Sequence, residues 1–163
     1  MVLGLSLSAF TTLHVVISLI AIAAGFIVMF GMLGPYRAGG LTGIFLLFTI
    51  LTSITGFMFP FNGITPAILV GILSVVLLAI ACIALYAMKA AGPWRWIYAV
   101  TALASLYLNV FVLVVQGFLK VPALHELAPG NPPNGPAFMV AQGVALLFFV
   151  VMIIGAVRRF KPV

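Results

Sequence analysis

Seven Lys/Arg and one Asp/Glu are the only charged side chains in this 163-residue chain, and nearly every one stands at the edge of a long apolar run. That spacing constrains the fold more than any motif. A helix needs about 20 mainly apolar residues to cross the hydrocarbon of a bilayer. Soluble domains carry roughly a quarter charged residues, whereas here the share is 5 % and hydrophobic residues make up 66 %. Lipid is therefore the expected solvent. The net charge of +6 does not point to nucleic acid, because the basic residues form no face or arm and instead flank the apolar runs. Cys82 is alone inside an apolar run, which excludes a disulfide framework and a Cys-based metal motif. The first apolar segment lacks a basic leading region and a clear cleavage site, and is expected to be a retained span.

Five spans follow from the punctuation. They are expected at about 10–33, 41–61, 66–88, 94–119 and 137–157, with a loop over 120–136. Gly34-Pro35 ends the first, Pro60 with Asn62-Gly63 the second, and Pro66 suits the first turn of the third. Gly92-Pro93 precedes the fourth, and the Pro/Gly/Asn-rich stretch from Pro129 to Pro136 precedes the fifth. The expected fold is all-α: one transmembrane domain, a bundle of five transmembrane helices. Five spans place Arg37, Lys89, Arg95, Arg158, Arg159 and Lys161 on one side, leaving Lys120 with Glu126 on the other. By the positive-inside rule the N-terminus is expected outside and the C-terminus in the cytoplasm. Trp94, Trp96 and Tyr98 around Arg95 fit an inner aromatic belt; Phe59, Phe61 and Phe118 lie at the outer end. Small residues recur at four-residue spacing, as in Ala21/Gly25, Gly39/Gly43 and Ala137/Ala141/Ala145, and suit close helix approach within the bundle or against another subunit.

The directions give each polar residue a depth at 1.5 Å per residue. Asn109 falls near the midplane, His14 and Gln116 roughly 10 Å toward the outer face, and Gln142 a little deeper. Ser105, Asn109, Gln116 and Lys120 share one face of the fourth span, which must turn away from lipid toward a partner helix or a cavity. After Lys120, the apolar positions Val121, Leu124 and Leu127 predict a short amphipathic segment on the bundle mouth, carrying His125 and Glu126. The candidate ligand pocket thus comprises His14, Asn109, Gln116, Lys120 and Gln142, with His125 and Glu126 at its outer mouth. Each group also has a plain structural use. The Ser and Thr hydroxyls can bond to their own helix carbonyls, Asn109 and Gln116 can join helices, and Lys120 can extend to the interface.

Three functional classes compete. The favoured one is a non-enzymatic binding or accessory protein with an outward-facing pocket for a quinone, a lipid or a partner helix, the donors being His14, Asn109, Gln116 or Lys120. The second is a redox protein in which His14 and His125 ligate haem, or join Glu126 on a metal. The third is an oligomeric channel or transporter, which the apolar inner half disfavours within one chain. Enzymatic catalysis has the least support, because the single carboxylate, Glu126, excludes a carboxylate pair and no Asp exists for a Ser/His/Asp triad. A homo-oligomer or a place within a larger membrane complex is expected.

The stretches Thr52–Pro60 (TSITGFMFP) and Tyr107–Gln116 (YLNVFVLVVQ), with Phe118–Pro122 (FLKVP) after them, resemble those of small uncharacterised bacterial inner-membrane proteins. The likeness covers most of the chain from the second span onward. It implies a multi-pass protein of the bacterial inner membrane, and it brings no activity, substrate or site residue.

Overall fold

The computed structural model describes residues 1–35 and 39–162, so Arg37 and its contribution to the charge pattern lie outside the described residues. Among the described residues the fold is helical, with five helices long and apolar enough to cross a membrane. α1 (Leu7–Leu33) starts where the Ser6 hydroxyl accepts from the Ala9 amide at 3.2 Å, which satisfies one of the free amides of a helix start. α2 (Gly39–Phe57) stops short of the expected Phe61. The residue before a proline is pushed out of the helical region, so Phe59 cannot continue the helix into Pro60, and Met58 closes a last turn onto the Thr55 carbonyl at 3.2 Å.

α3 (Pro66–Cys82) is capped by Thr65, whose hydroxyl accepts from the Ile68 amide at 3.4 Å, with Pro66 in the first turn as expected. It passes without a break into a π-helical turn, Ile83–Ala87, and the two together span the membrane-length segment Pro66–Ala87. α4 (Trp94–Lys120) follows, then the short α5 (Pro122–Leu127) and α6 (Pro136–Arg159). α5 occupies the expected amphipathic segment and packs on α4, while Val121 and Leu127 remain exposed.

α4 is the hub, touching α1, α2, α3, α5 and α6, whereas α1 packs most extensively on α2. From Tyr98 to Leu106 α4 is buried around most of its circumference, through Tyr98, Ala99, Thr101, Ala102, Leu103, Ser105 and Leu106. The tightest junction joins α1, α2 and α4. A Cβ on Gly25 would lie 2.6 Å from Leu106 and 2.9 Å from Phe45, so the glycine is what lets the three helices close. The Ala21/Gly25 pair therefore packs inside the chain. α6 is the least covered of the five, held by α4 and α1 through an aromatic cluster of Phe26, Tyr107, Phe148 and Phe149.

The helices alternate in direction, which sorts the charges by bundle end. Lys120, His125 and Glu126 lie at the end carrying α5, and Lys89, Arg95, Arg158, Arg159 and Lys161 at the opposite, basic end. Tyr98 departs from the expected aromatic belt. It is 1 % exposed and turned inward against Phe160, at a ring distance of 5.6 Å, while Trp96 remains open at the surface.

Candidate functional site

The polar residues fall into two groups in the half of the bundle that carries α5. In the first, His14 of α1 meets Thr55 of α2, with Nδ1 and Oγ1 2.7 Å apart. The same hydroxyl lies 2.7 Å from the Leu51 carbonyl, and a carbonyl can only accept. The single hydroxyl proton must therefore go to Leu51, and the His14 ring must donate to Thr55. His14 accordingly carries its proton on Nδ1, and Nε2 of the neutral ring holds the lone pair. Phe59 packs edge-on against the imidazole at 5.2 Å and Phe10 packs on Phe59 at 5.0 Å, giving the ring an apolar sleeve. Lys120, at the end of α4, stands exposed at the same end of the bundle. An acceptor and a cationic donor thus lie at the same end of the bundle.

Thr55→Val keeps the shape and removes the oxygen that fixes the imidazole. We expect it to lower the stability of the bundle by about 1 kcal/mol, read as a fall in thermal midpoint in detergent.

The second group is a pair of amides on either side of α4: Gln142 in the α4–α6 interface, and Asn109 on the face of α4 turned away from Tyr107 and Phe111, which meet α6. Gln142 of α6 donates from Nε2 to the Phe111 carbonyl at 3.1 Å, while its Oε1 is buried without a hydrogen-bond partner. Asn109, about 16 Å from the end of α4, has a buried Nδ2 that is also without a partner. One is an unused acceptor and the other an unused donor. Buried amide atoms of this kind are rare, and each costs about 1–3 kcal/mol. Gln116 is half-buried on the same face of α4 as Asn109 and the exposed Lys120.

The Ser and Thr residues mostly bond within their helices. Thr49, Thr52, Ser53, Thr101 and Ser105 each donate to a carbonyl three or four residues earlier. Ser74 differs, its hydroxyl being buried without a partner. At the mouth, His125 donates from Nδ1 to the Phe118 carbonyl at 3.1 Å, which ties α5 to the end of α4. Leu124 turns back onto Gly117, and Glu126 stands exposed. His14 and His125 are each held by a bond from Nδ1, and no group of three metal-ligating side chains occurs among the described residues.

A feature without a clear sequence signal lies at the basic end: a cavity of about 620 Å³ whose wall includes Thr42, Tyr86, Lys89, Tyr98, Arg159 and Lys161. Comparison of the chain with protein-family models, curated proteins and solved structures gives no match.

Proposed function

We propose that the chain is a non-enzymatic binding or accessory protein of the bacterial inner membrane, with its N-terminus outside and its C-terminus in the cytoplasm. Its guest is a small amphipathic molecule with a carbonyl or hydroxyl head, a quinone or a lipid, or a partner helix offering the same groups. The observation that carries this reading is His14, fixed by Thr55 with its Nε2 lone pair beside an apolar sleeve and with Lys120 at the same end of the bundle. His14 Nε2 can accept from a hydroxyl head, and the Lys120 ammonium can donate to a carbonyl head. The unused donor of Asn109, on the α4 face that also carries Gln116 and Lys120, lies deeper and offers a further hydrogen bond to such a guest. Membership of a homo-oligomer or of a larger membrane complex fits the sparse coverage of α6.

The binding test is photolabelling of the purified full chain with an azido-quinone, followed by peptide mapping. Label is expected in the α1 segment around His14 and at the end of α4, and His14→Phe should reduce it severalfold. Label spread evenly over the lipid-facing residues would sink the reading. Orientation is tested in a chain whose Cys82 is replaced by Ser. A membrane-impermeant maleimide is expected to modify Glu126→Cys in intact cells, and Lys161→Cys only after permeabilisation. The reverse pattern would invert the topology.

A further inference from the structure

The geometry points to a second site, in the cavity at the basic end, for a phosphate-bearing amphiphile whose anionic head is held by Lys89, Arg159 and Lys161 and by the hydroxyl of Tyr98. This inference rests neither on the His14 group nor on the orientation of the chain.

Charge is the first argument. Three cations share the wall of one cavity, and the only carboxylate side chain in the sequence, Glu126, is carried by α5 at the far end of the bundle. No side chain of the protein can neutralise them. All three are exposed at the membrane boundary, where one anionic head can meet them together.

Basic residues at a membrane boundary need no ligand as such. What singles out this cavity is Tyr98. Its ring is 1 % exposed and its Oη is buried, with the Thr42 side chain as a hydrogen-bonding neighbour. Thr42, Tyr86 and Phe160, which surround Tyr98, also line the cavity, so the hydroxyl lies at the cavity end of the ring. A phenol deprived of water in this way still has a proton to donate, and phosphate oxygen is a stronger acceptor for it than a threonine hydroxyl.

The wall is built rather than incidental. Arg95 donates from Nη1 to the Phe160 carbonyl at 2.6 Å, and Phe160 packs on Tyr98, so the segment bearing Arg159 and Lys161 is pinned to the start of α4. On the facing side the π-helical turn carries Leu85 and Tyr86 to the cavity, and Lys89 follows with φ 52°, a left-handed backbone that a lysine adopts only when its surroundings impose it. Between the polar groups the lining is apolar, with Val28, Met32 and Leu85 available to an acyl chain.

The test uses the full chain in mild detergent, titrated in parallel with dioleoyl phosphatidylglycerol and dioleoyl phosphatidylcholine, and read by native mass spectrometry. One equivalent of phosphatidylglycerol should be retained in clear preference to the zwitterionic lipid. Removing the cations in the combined variant Lys89→Gln, Arg159→Gln, Lys161→Gln should cost about fivefold for each one lost. Tyr98→Phe, which keeps the packing, should lower retention about fivefold. Arg158→Gln removes a neighbouring charge that does not line this cavity and should change nothing. Inorganic phosphate distinguishes the source. If it displaces the lipid, the site takes the free anion; if it does not, the site takes the headgroup of a lipid, and both results support phosphate recognition. Equal retention of the two lipids, a loss in Arg158→Gln matching that of the combined variant, or full retention by Tyr98→Phe would overturn the inference. None of these readouts depends on quinone labelling at the other end.

Discussion

Gly25→Leu is expected to dismantle the bundle: the purified variant should lose its cooperative thermal transition and run as aggregate in detergent, while Gly143→Leu behaves as the parent. The difference is one of space. A first side-chain carbon at Gly25 already reaches 2.6 Å from Leu106 and 2.9 Å from Phe45, and both of those side chains are fully buried. At Gly143 nothing lies within 4 Å. Overpacking a dense core costs about 1–3 kcal/mol when neighbours can shift, and more when they cannot. Here three helices meet at one point, so a shift of Phe45 or Leu106 displaces α2 or the hub α4. In lipid the tails are as apolar as leucine, so tight packing is a principal source of helix association. Gly25→Ala gives the graded version, with a smaller fall in midpoint, since the Leu106 contact is with the end of a flexible side chain.

Asn109→Leu is expected to do the opposite, raising stability by about 1 kcal/mol or more while weakening capture of an amphipathic guest. Its Nδ2 is buried without a partner, and removing an orphaned amide removes the desolvation penalty it carries. Gln142→Leu should come out close to neutral. It relieves the unpaired Oε1 but gives up the bond from Nε2 to Phe111, worth about 1 kcal/mol or less in a membrane bundle. Thermal midpoints of the two variants, measured beside their azido-quinone labelling, check the pair. If Asn109→Leu were less stable than the parent, the amide would have a partner in the folded protein and no role as an unused donor.

The five spans were legible because lipid imposes a simple rule: each crossing must satisfy its backbone internally, over a length fixed by the bilayer. The boundaries followed the punctuation, with Thr65-Pro66 starting α3 where expected. The expected second span ends four residues too far along, because Phe59 and Phe61 are apolar while the backbone at Phe59 answers to Pro60. Side-chain partners were legible only where the chemistry is local. The Ser and Thr back-bonds of Thr49, Thr52 and Thr101 use a carbonyl one turn away. The bond from Gln142 to the Phe111 carbonyl could not be read, since every residue offers such an acceptor and only the packing of α6 on α4 selects one. The basic-end cavity was hidden for the same reason. Tyr98, placed by its neighbours in an interfacial belt, is turned inward by Phe160, and Tyr86 reaches the wall through a π-helical turn that leaves no pattern in composition.

The central position of α4 also bears on how the protein is made. Synthesis delivers α1, α2 and α3 to the membrane before the helix that all three of them contact exists. Each can wait there as a hydrogen-bonded rod. The junction at Gly25 gains its Leu106 wall only when the fourth helix arrives. Assembly is then a late, nearly concerted closure around α4, and α6, the least covered of the five, docks last. A ribosome stalled after the third helix would leave three inserted rods without their common core, a state that membrane quality-control proteases can recognise by its unclosed faces.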